Sequence, residues 1–296
     1  MKLQKLFGWK ECSFHEYKQA YAKFGGNLSS EPRILEFFHK HHDLNENFFT
    51  KKNDNGELIG AICSWENGYI SGEQKIAKKH NLGNYLLNFD EVMPPIKKDS
   101  IRILPFKTKY LSAINSRNIM NSSHFLDANR EISIVNNVSS KTRNSRNREL
   151  RKFIDSGGSI RKISEYDINS LLPIYEKLYF QRRGTGAGTE GARNLLSEIP
   201  DLLFGSVLEM HGEPCAMQWI TKSEDHQRIY LDYVNAGMNM ELKHLSVGTI
   251  IAWINVRDAI DYGTARNKEV RFSFGRPSAD YKERWCTAEP LSRVFA

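Results

Sequence analysis

The stretch FSFGRPSADYKERWCTAEPL, residues 272–291, opens as a strand with Phe272 and Phe274 at alternating positions and turns at Gly275. It then brings Arg276, Lys282, Arg284, Trp285 and Glu289 close together along the chain. Basic and aromatic side chains just past a strand end suit the rim of an anion-binding site. A second basic group lies in KTRNSRNRELRKFIDSGG, where Lys141, Arg143, Arg146, Arg148, Arg151 and Lys152 are opposed by Glu149. Leu150, Phe153 and Ile154 give this segment a narrow apolar face, so a helix ending at Gly157 is predicted. Cations crowded into the first turns of a helix oppose its dipole, and a bound anion relieves that penalty. A phosphate held by the helix N-terminus with Arg143 or Arg146 would do so; a solvated, solubilising face is the other reading. The third candidate is LSVGTIIAWINV, where Ser246 is a plausible N-cap and the backbone N–H groups of Val247, Gly248 and Thr249 face a loop. Such groups bind a pyrophosphate or an oxyanion, although a capped core helix has the same sequence.

Other constellations fail on context. Gly186, Gly188 and Gly191 in RRGTGAGTEGAR match G-x-G-x-x-G, but LLPIYEKLYFQRR before them has a helical pattern, and a dinucleotide loop must follow a strand. His39, His41 and His42 with Asp43 lack a second ligand cluster, so they are expected to be solvated helix-end histidines and no metal is expected. Cys12, Cys63, Cys215 and Cys286 form no C-x-x-C pair, which argues against a zinc site or a redox dithiol. No Walker loop, nucleophile elbow, kinase signature or helix-turn-helix is evident.

These groups need elements to position them. At 296 residues and 40% apolar content, the chain is long enough for two globular domains, expected at residues 1–135 and 136–296. SFHEYKQAYAKF and PRILEFFHKHH read as helices, followed by a hairpin in NFFTKKNDNGELIGAICSW that turns at Asp54–Asn55–Gly56. Helical patterns at 164–199 and a hairpin turning at His211–Gly212–Glu213 repeat that order, which suggests a duplicated α/β unit. RIYLDYVNAG, then HLSVGTIIAWINVRDAIDYG, then EVRFSFGR read as a strand–helix–strand crossover. The net charge of +7 points to anionic partners: nucleic acid, phosphorylated small molecules or an acidic membrane surface. Neither a signal peptide nor a membrane-spanning helix is predicted, so a reducing cytoplasm is expected. Leu3, Leu6, Phe7 and Trp9, interleaved with Lys2, Lys5 and Lys10, form either a membrane-surface patch or part of the first core.

Several of these features recur together in one known arrangement. The basic helix with Lys141 and Arg143, the Gly212–Glu213 hairpin, Gly248 in L-S-x-G-T, and the closing series Phe274, Gly275, Arg276, Lys282, Trp285 and Leu291 resemble the C-terminal half of FemAB-like transferases. Those enzymes belong to the wider GNAT acyltransferase fold, and the resemblance covers roughly residues 139–291. Over the whole chain, F-G-G at 24–26, N-G-E-L-I-G-A at 55–61, Pro94–Pro95 and the terminal F-G-R resemble the Mig-fourteen family of bacterial antimicrobial-peptide resistance proteins. That family is associated with the inner-membrane face of Gram-negative bacteria.

The resemblance implies an α/β (α+β) fold of tandem GNAT-like acyltransferase domains. It also implies transfer of an acyl or aminoacyl group from a thioester or ester donor to an amine or hydroxyl. Carried over from it, Lys282 is expected at the transfer site and Arg143 on a phosphorylated acceptor. Asp232, Tyr233 and Tyr281 are expected to handle protons, because they sit beside the strand and loop that would face the donor. Arg146, Arg276 and Trp285 are expected to bind substrate, and Ser246, Val247, Gly248 and Thr249 the co-substrate. H-L-S-V-G-T stands where a Q/R-x-x-G-x-G/A loop would be, which leaves both acyl-CoA and aminoacyl-tRNA open as a co-substrate, neither held tightly. The expected partners are an anionic cell-envelope precursor such as a lipopolysaccharide or lipid component, tRNA, and the inner-membrane surface on its cytoplasmic side. The alternative is a catalytically inactive acyltransferase-fold module that binds anionic lipid, peptide or nucleic acid.

Overall fold

The structure, a computed structural model, describes residues 2–123, 130–136, 138–278, 282–283 and 285–296. The chain begins with a short helix α1 (Lys2–Leu6) and an edge strand β1 (Trp9–Glu11). Helix α2 (Phe14–Phe24) then starts at a complete capping box between Ser13 and Glu16, and α3 (Pro32–His41) has Pro32 in its first turn. The hairpin β2 (Asn47–Lys52) and β3 (Leu58–Trp65) follows, with β4 (Tyr69–Ile70) completing a four-stranded sheet in the order β1-β2-β3-β4. Two short helices, α4 (Gln74–Lys79) and α5 (Ala113–Ser116), flank β5 (Thr108–Leu111).

The second half opens with β6 (Glu131–Val135) and the basic helix α6 (Ser140–Asp155), followed by β7 (Gly158–Lys162), α7 (Ile168–Arg183) and α8 (Glu190–Glu198). The hairpin β8 (Ser206–Met210) and β9 (Glu213–Glu224) turns on His211 and Gly212, both at positive φ, the two-residue geometry that matches strand twist. The predicted crossover is present as β10 (Arg228–Met238), α9 (Val247–Arg266) and β11 (Glu269–Ser273), with β10 and β11 parallel. With β12 (Cys286–Pro290) they form a seven-stranded sheet in the order β12-β6-β11-β10-β9-β8-β7. β6, at the end of the expected first domain, is thus hydrogen-bonded into the second sheet. The last strand, β13 (Ser292–Val294), returns to pair with β5.

The α-α-β-β order does recur, and the two copies bury one core between them. Tyr17, Leu28, Phe38 and Trp65 of the first half pack in the same cluster as Leu172, Tyr175, Leu178, Leu196 and Trp219 of the second. One buried ion pair bridges the halves beside this core. Arg271 of β11 holds Glu91 through two nitrogens, Nη2–Oε1 at 2.5 Å and Nε–Oε2 at 3.2 Å, and reaches Glu289 of β12 at 2.9 Å. Glu91 also accepts, at its backbone oxygen, a hydrogen bond from Asn27, so the pair is tied into the loop before α3.

One expectation is corrected here, and the choice left open for the N-terminal segment is narrowed. The helix-end histidines are not simply solvated: His39 Nε2 accepts the Trp65 indole N–H at 3.1 Å, and His42 bonds the Tyr85 hydroxyl at 2.8 Å. In the N-terminal segment, Trp9 is fully buried and Phe7 packs against the first-half core, while Leu3 and Leu6 stay exposed. No helix among the described residues is long and apolar enough to cross a membrane.

Removing one partner of a buried pair strands the other charge. Arg271→Leu is therefore expected to lower the unfolding free energy by about 3–5 kcal/mol in urea denaturation at neutral pH. Arg271→Lys, which cannot reproduce the fork, should recover only part of the loss. A change below about 1 kcal/mol for Arg271→Leu would show that the pair does not hold the halves together.

Candidate functional site

The site begins with a mismatch between neighbouring strands. β11 pairs with β10 only over Arg228–Asp232, ending at Ser273, whereas β10 runs on to Met238. Beyond Asp232 the two parallel strands part, and the edge of β10 is left open. The register of β10 against β9 also slips between Tyr233 and Asn235, so Val234 is an extra, bulged residue. Side chains alternate faces along a strand, and one extra residue shifts the alternation. Leu231 and Tyr233 therefore face α9, Val234 turns to the shared core, and Ala236 and Met238 return to the α9 face.

A cavity of about 540 Å³ opens in this gap, at the carboxyl end of β10 and against the N-terminus of α9. Tyr233, Ala236, Met238 and Gln218 line its sheet side, and Ser246, Val247, Gly248, Thr249 and Ala252 its helix side. Thr142 and Arg146 of α6, Arg182 of α7, Lys243 and Trp285 close the remainder. Three cations and no acid contribute to the wall among the described residues. α9 starts from Ser246 in the left-handed region with no side-chain cap on its first turn; the Thr249 N–H bonds the Ser246 carbonyl at 2.9 Å, and the N–H groups of Val247 and Gly248 are left for a ligand.

The walls are fixed by specific contacts. Trp253 of α9 donates its indole N–H to Asn147 of α6 at 2.9 Å and stacks on Trp285 with ring centroids 6.3 Å apart, which joins α6, α9 and the C-terminal segment. α6 is further seated by Phe153, fully buried against Leu208, Val247 and Ile250. Arg146 pairs with Glu149, yet its Nε is buried without a protein partner. Arg182 Nη1 donates to the Ala236 carbonyl at 2.8 Å and to Asn235 Oδ1 at 3.0 Å, supplying partners that the bulged edge lacks. Gly237 allows α7 to approach the strand: a Cβ there would lie 2.6 Å from the Tyr179 backbone nitrogen.

The cavity thus gathers Arg146, Tyr233, Trp285 and Ser246–Thr249 from the expected set, and leaves others outside. Asp232 is adjacent to Tyr233 but points to the opposite face, where it is buried near Glu91, Arg271 and Asp90. Lys282 is buried with its ammonium on the Arg276 carbonyl and Ser278 Oγ, and Trp285 N–H donates to the Lys282 carbonyl, so this lysine shapes the turn that seats Trp285. Burial lowers its pKa, and Asp90 works in the opposite direction. Arg276 is exposed, paired with Asp90 at 3.0 Å, and lines a separate pocket of about 300 Å³ with Tyr110 and Arg130. Arg143 is exposed on α6 and does not line the cavity. Tyr281 and Arg284 lie outside the described residues.

Arg182, Lys243, Gln218 and Thr142 were missed. The glycine-rich segment does connect two helices, as its context required, but the arginine at its entrance reaches the cavity. Among the described residues no cluster of potential ligands could hold a metal ion.

The Mig-14 family model matches residues 31–294. No curated protein matches the sequence. Among solved structures, FemX superposes with a TM-score of 0.56 at 8% identity, covering 97% of each chain. This places the chain in the tandem acyltransferase-like α/β fold. A GNAT-family acetyltransferase from Colwellia psychrerythraea matches with TM-score 0.47 and 11% identity over 97% of this chain and 99% of that one. L-PGS from Bacillus licheniformis matches with TM-score 0.45 and 13% identity over 96% and 91%.

Burial, with Glu91 nearby, pushes the Asp232 carboxyl up to about 8. An unfolded aspartate titrates near 4, so between about pH 4 and 8 the folded state holds a proton that the unfolded state has lost. Stability from this group is full below about pH 4 and declines as pH rises, by at most about 1.4 kcal/mol per unit. Asp232→Asn should therefore match the wild type at pH 4 and be more stable at pH 8, as read from urea midpoints across pH. Equal midpoints at pH 8 would show that this carboxyl titrates normally.

Proposed function

The chain belongs to the Mig-14 family, and from that membership we propose that it is an acyl- or aminoacyltransferase acting on an anionic cell-envelope precursor. Adding an amine-bearing group to such a precursor lowers surface charge and weakens the binding of cationic antimicrobial peptides. The observation that carries this reading is the cavity itself: a helix N-terminus, three cations and a tyrosine around an apolar wall, in the gap between parting parallel strands. A donor with an anionic end and a carbonyl end fits those chemistries. Its anionic part would lie on the amides of Val247 and Gly248, flanked by Arg146 and Lys243. Its acyl part would lie against Trp285, Met238 and Ala252, with the carbonyl toward Tyr233.

In this reading the attacking amine or hydroxyl adds to the carbonyl carbon, and the electron pair of the C=O bond moves onto oxygen. The oxyanion pair then returns to re-form C=O as the C–S or C–O bond of the donor breaks, Tyr233 protonates the leaving group, and the proton released by the attacking amine or hydroxyl restores the Tyr233 phenol. Acyl-CoA and aminoacyl-tRNA both satisfy the charge pattern, and the reaction belongs on the cytoplasmic side of the inner membrane, where both are found. We divide the chain into two acyltransferase-like units ahead of β6, which goes with the sheet it pairs into, and the second unit carries the chemistry.

The position of Lys282, turned away from the cavity, favours a second reading: a catalytically inactive module that binds an anionic lipid, peptide or nucleic acid. The two are separated in a deletion strain carrying Arg146→Gln or Tyr233→Phe, by mass spectrometry of envelope lipids together with peptide sensitivity. A transferase loses the envelope modification with either variant, the rate falling about 10²-fold or more for Tyr233→Phe. If Tyr233→Phe leaves resistance intact while Arg146→Gln abolishes it, the binding module stands. An envelope mass spectrum identical in deletion and wild-type strains excludes the transferase.

A further inference from the structure

Gln218 is a polar residue in the middle of β9, only 5% exposed, whose side chain lines the cavity opposite α9. Its register partner is Ala236, two residues beyond the bulged Val234, so it sits close to the point where the strands part. A buried amide normally has partners at both ends. Here one end is engaged by Asn255, a fully buried residue in the middle of α9, at 2.9 Å.

Which end is fixed by a backbone group that cannot be reversed. The Ser206 N–H can only donate, and it donates to the Asn255 side chain at 3.1 Å, so the Asn255 atom facing it must be the carbonyl oxygen. The Asn255 NH₂ is then the other end and can only donate, so the Gln218 atom facing it must be Oε1. Gln218 Nε2, with two N–H groups, is left toward the cavity, and no protein partner accepts from it among the described residues. Gly205 leaves room for this arrangement, since a Cβ there would lie 2.7 Å from Asn255 Oδ1.

We propose that Gln218 donates its side-chain N–H to the carbonyl oxygen of the group transferred in this cavity, and that Asn255 is the positioning residue that fixes its direction. This rests on the transferase reading above. A donor held by a rigid relay in a partly apolar cavity needs no reorientation as charge builds on that oxygen, which is the condition under which such a bond contributes most. It also makes the site selective for a ligand with an acceptor at that point, because a ligand without one leaves the amide unpaired.

The orientation is tested without any ligand. In ¹⁵N-labelled full-length protein, the Asn255 side-chain NH₂ should be protected from hydrogen exchange and the Gln218 NH₂ should exchange as an open amide. The reverse pattern overturns the proposal. The ligand side uses acetyl-coenzyme A against coenzyme A, and puromycin against its aminonucleoside, each pair differing by one acyl group and hence by its carbonyl. Gln218→Glu, which keeps an oxygen toward Asn255 but has no N–H for the cavity, should lower the preference for the carbonyl-bearing member of the binding pair over its partner at least tenfold, a ratio in which the effect of the new charge on both members cancels. Asn255→Asp, which accepts from Ser206 but cannot donate to Gln218, should produce the same carbonyl-specific loss without touching the cavity wall. Equal binding of the carbonyl-bearing probe by wild type and both variants overturns the donor role. If the wild type binds none of the four probes, the transferase reading and the ligand half of this proposal both fall, while the exchange pattern still decides the orientation.

Discussion

One extra residue in β10 sets the geometry on which the site depends. Without Val234 out of register, the alternation that puts Leu231 and Tyr233 toward α9 would send Ala236 and Met238 to the shared core instead. The same slip leaves the Ala236 carbonyl for Arg182, which brings a cation from α7 to the cavity. Bulges weaken the local ladder. Here the loss is offset by Arg182 and Asn235, whose Oδ1 also accepts the Ala236 N–H. The end of β11 at Ser273 then decides where the gap opens.

The bulge also explains what the amino-acid sequence disclosed and what it hid. The crossover of β10, α9 and β11 was legible because its periodicity changes from two to nearly four and back, with Ser246 marking the switch. The placing of Ser246–Thr249 at the start of α9 followed from that, whereas Arg146 came from the basic run of α6; both line the cavity. Asp232 and Tyr233 looked equivalent because chain proximity says nothing about sheet face until the register is known. Lys282 and Arg276 looked like a rim because basic residues past a strand end often are, yet each is claimed by a nearer partner: a turn carbonyl for one and Asp90 for the other. Gln218 and Asn255 carried no signal at all. A lone amide in an apolar run announces neither its partner nor its direction, and here both come from a backbone N–H on another strand.

The two halves were correctly read as copies of one α-α-β-β pattern, but repetition in sequence does not reveal whether copies fold apart or together. Their helices α2, α3, α7 and α8 lie between the sheets and contribute to a single cluster, with Glu91 and Arg271 buried beside it. Periodicity identifies the apolar face of each helix; what that face meets is a tertiary fact.

That common interior has a consequence for how the molecule must come into being. The first half leaves the ribosome with Tyr17, Phe38 and Trp65 facing a partner surface that has not yet been synthesised. Until α7 and α8 arrive, more than a hundred residues later, this half is an incomplete object with an apolar face and an unpaired Glu91. Folding is therefore expected to finish as a single late event in which both sheets close on their helices together. Each copy acts as the template against which the other is completed.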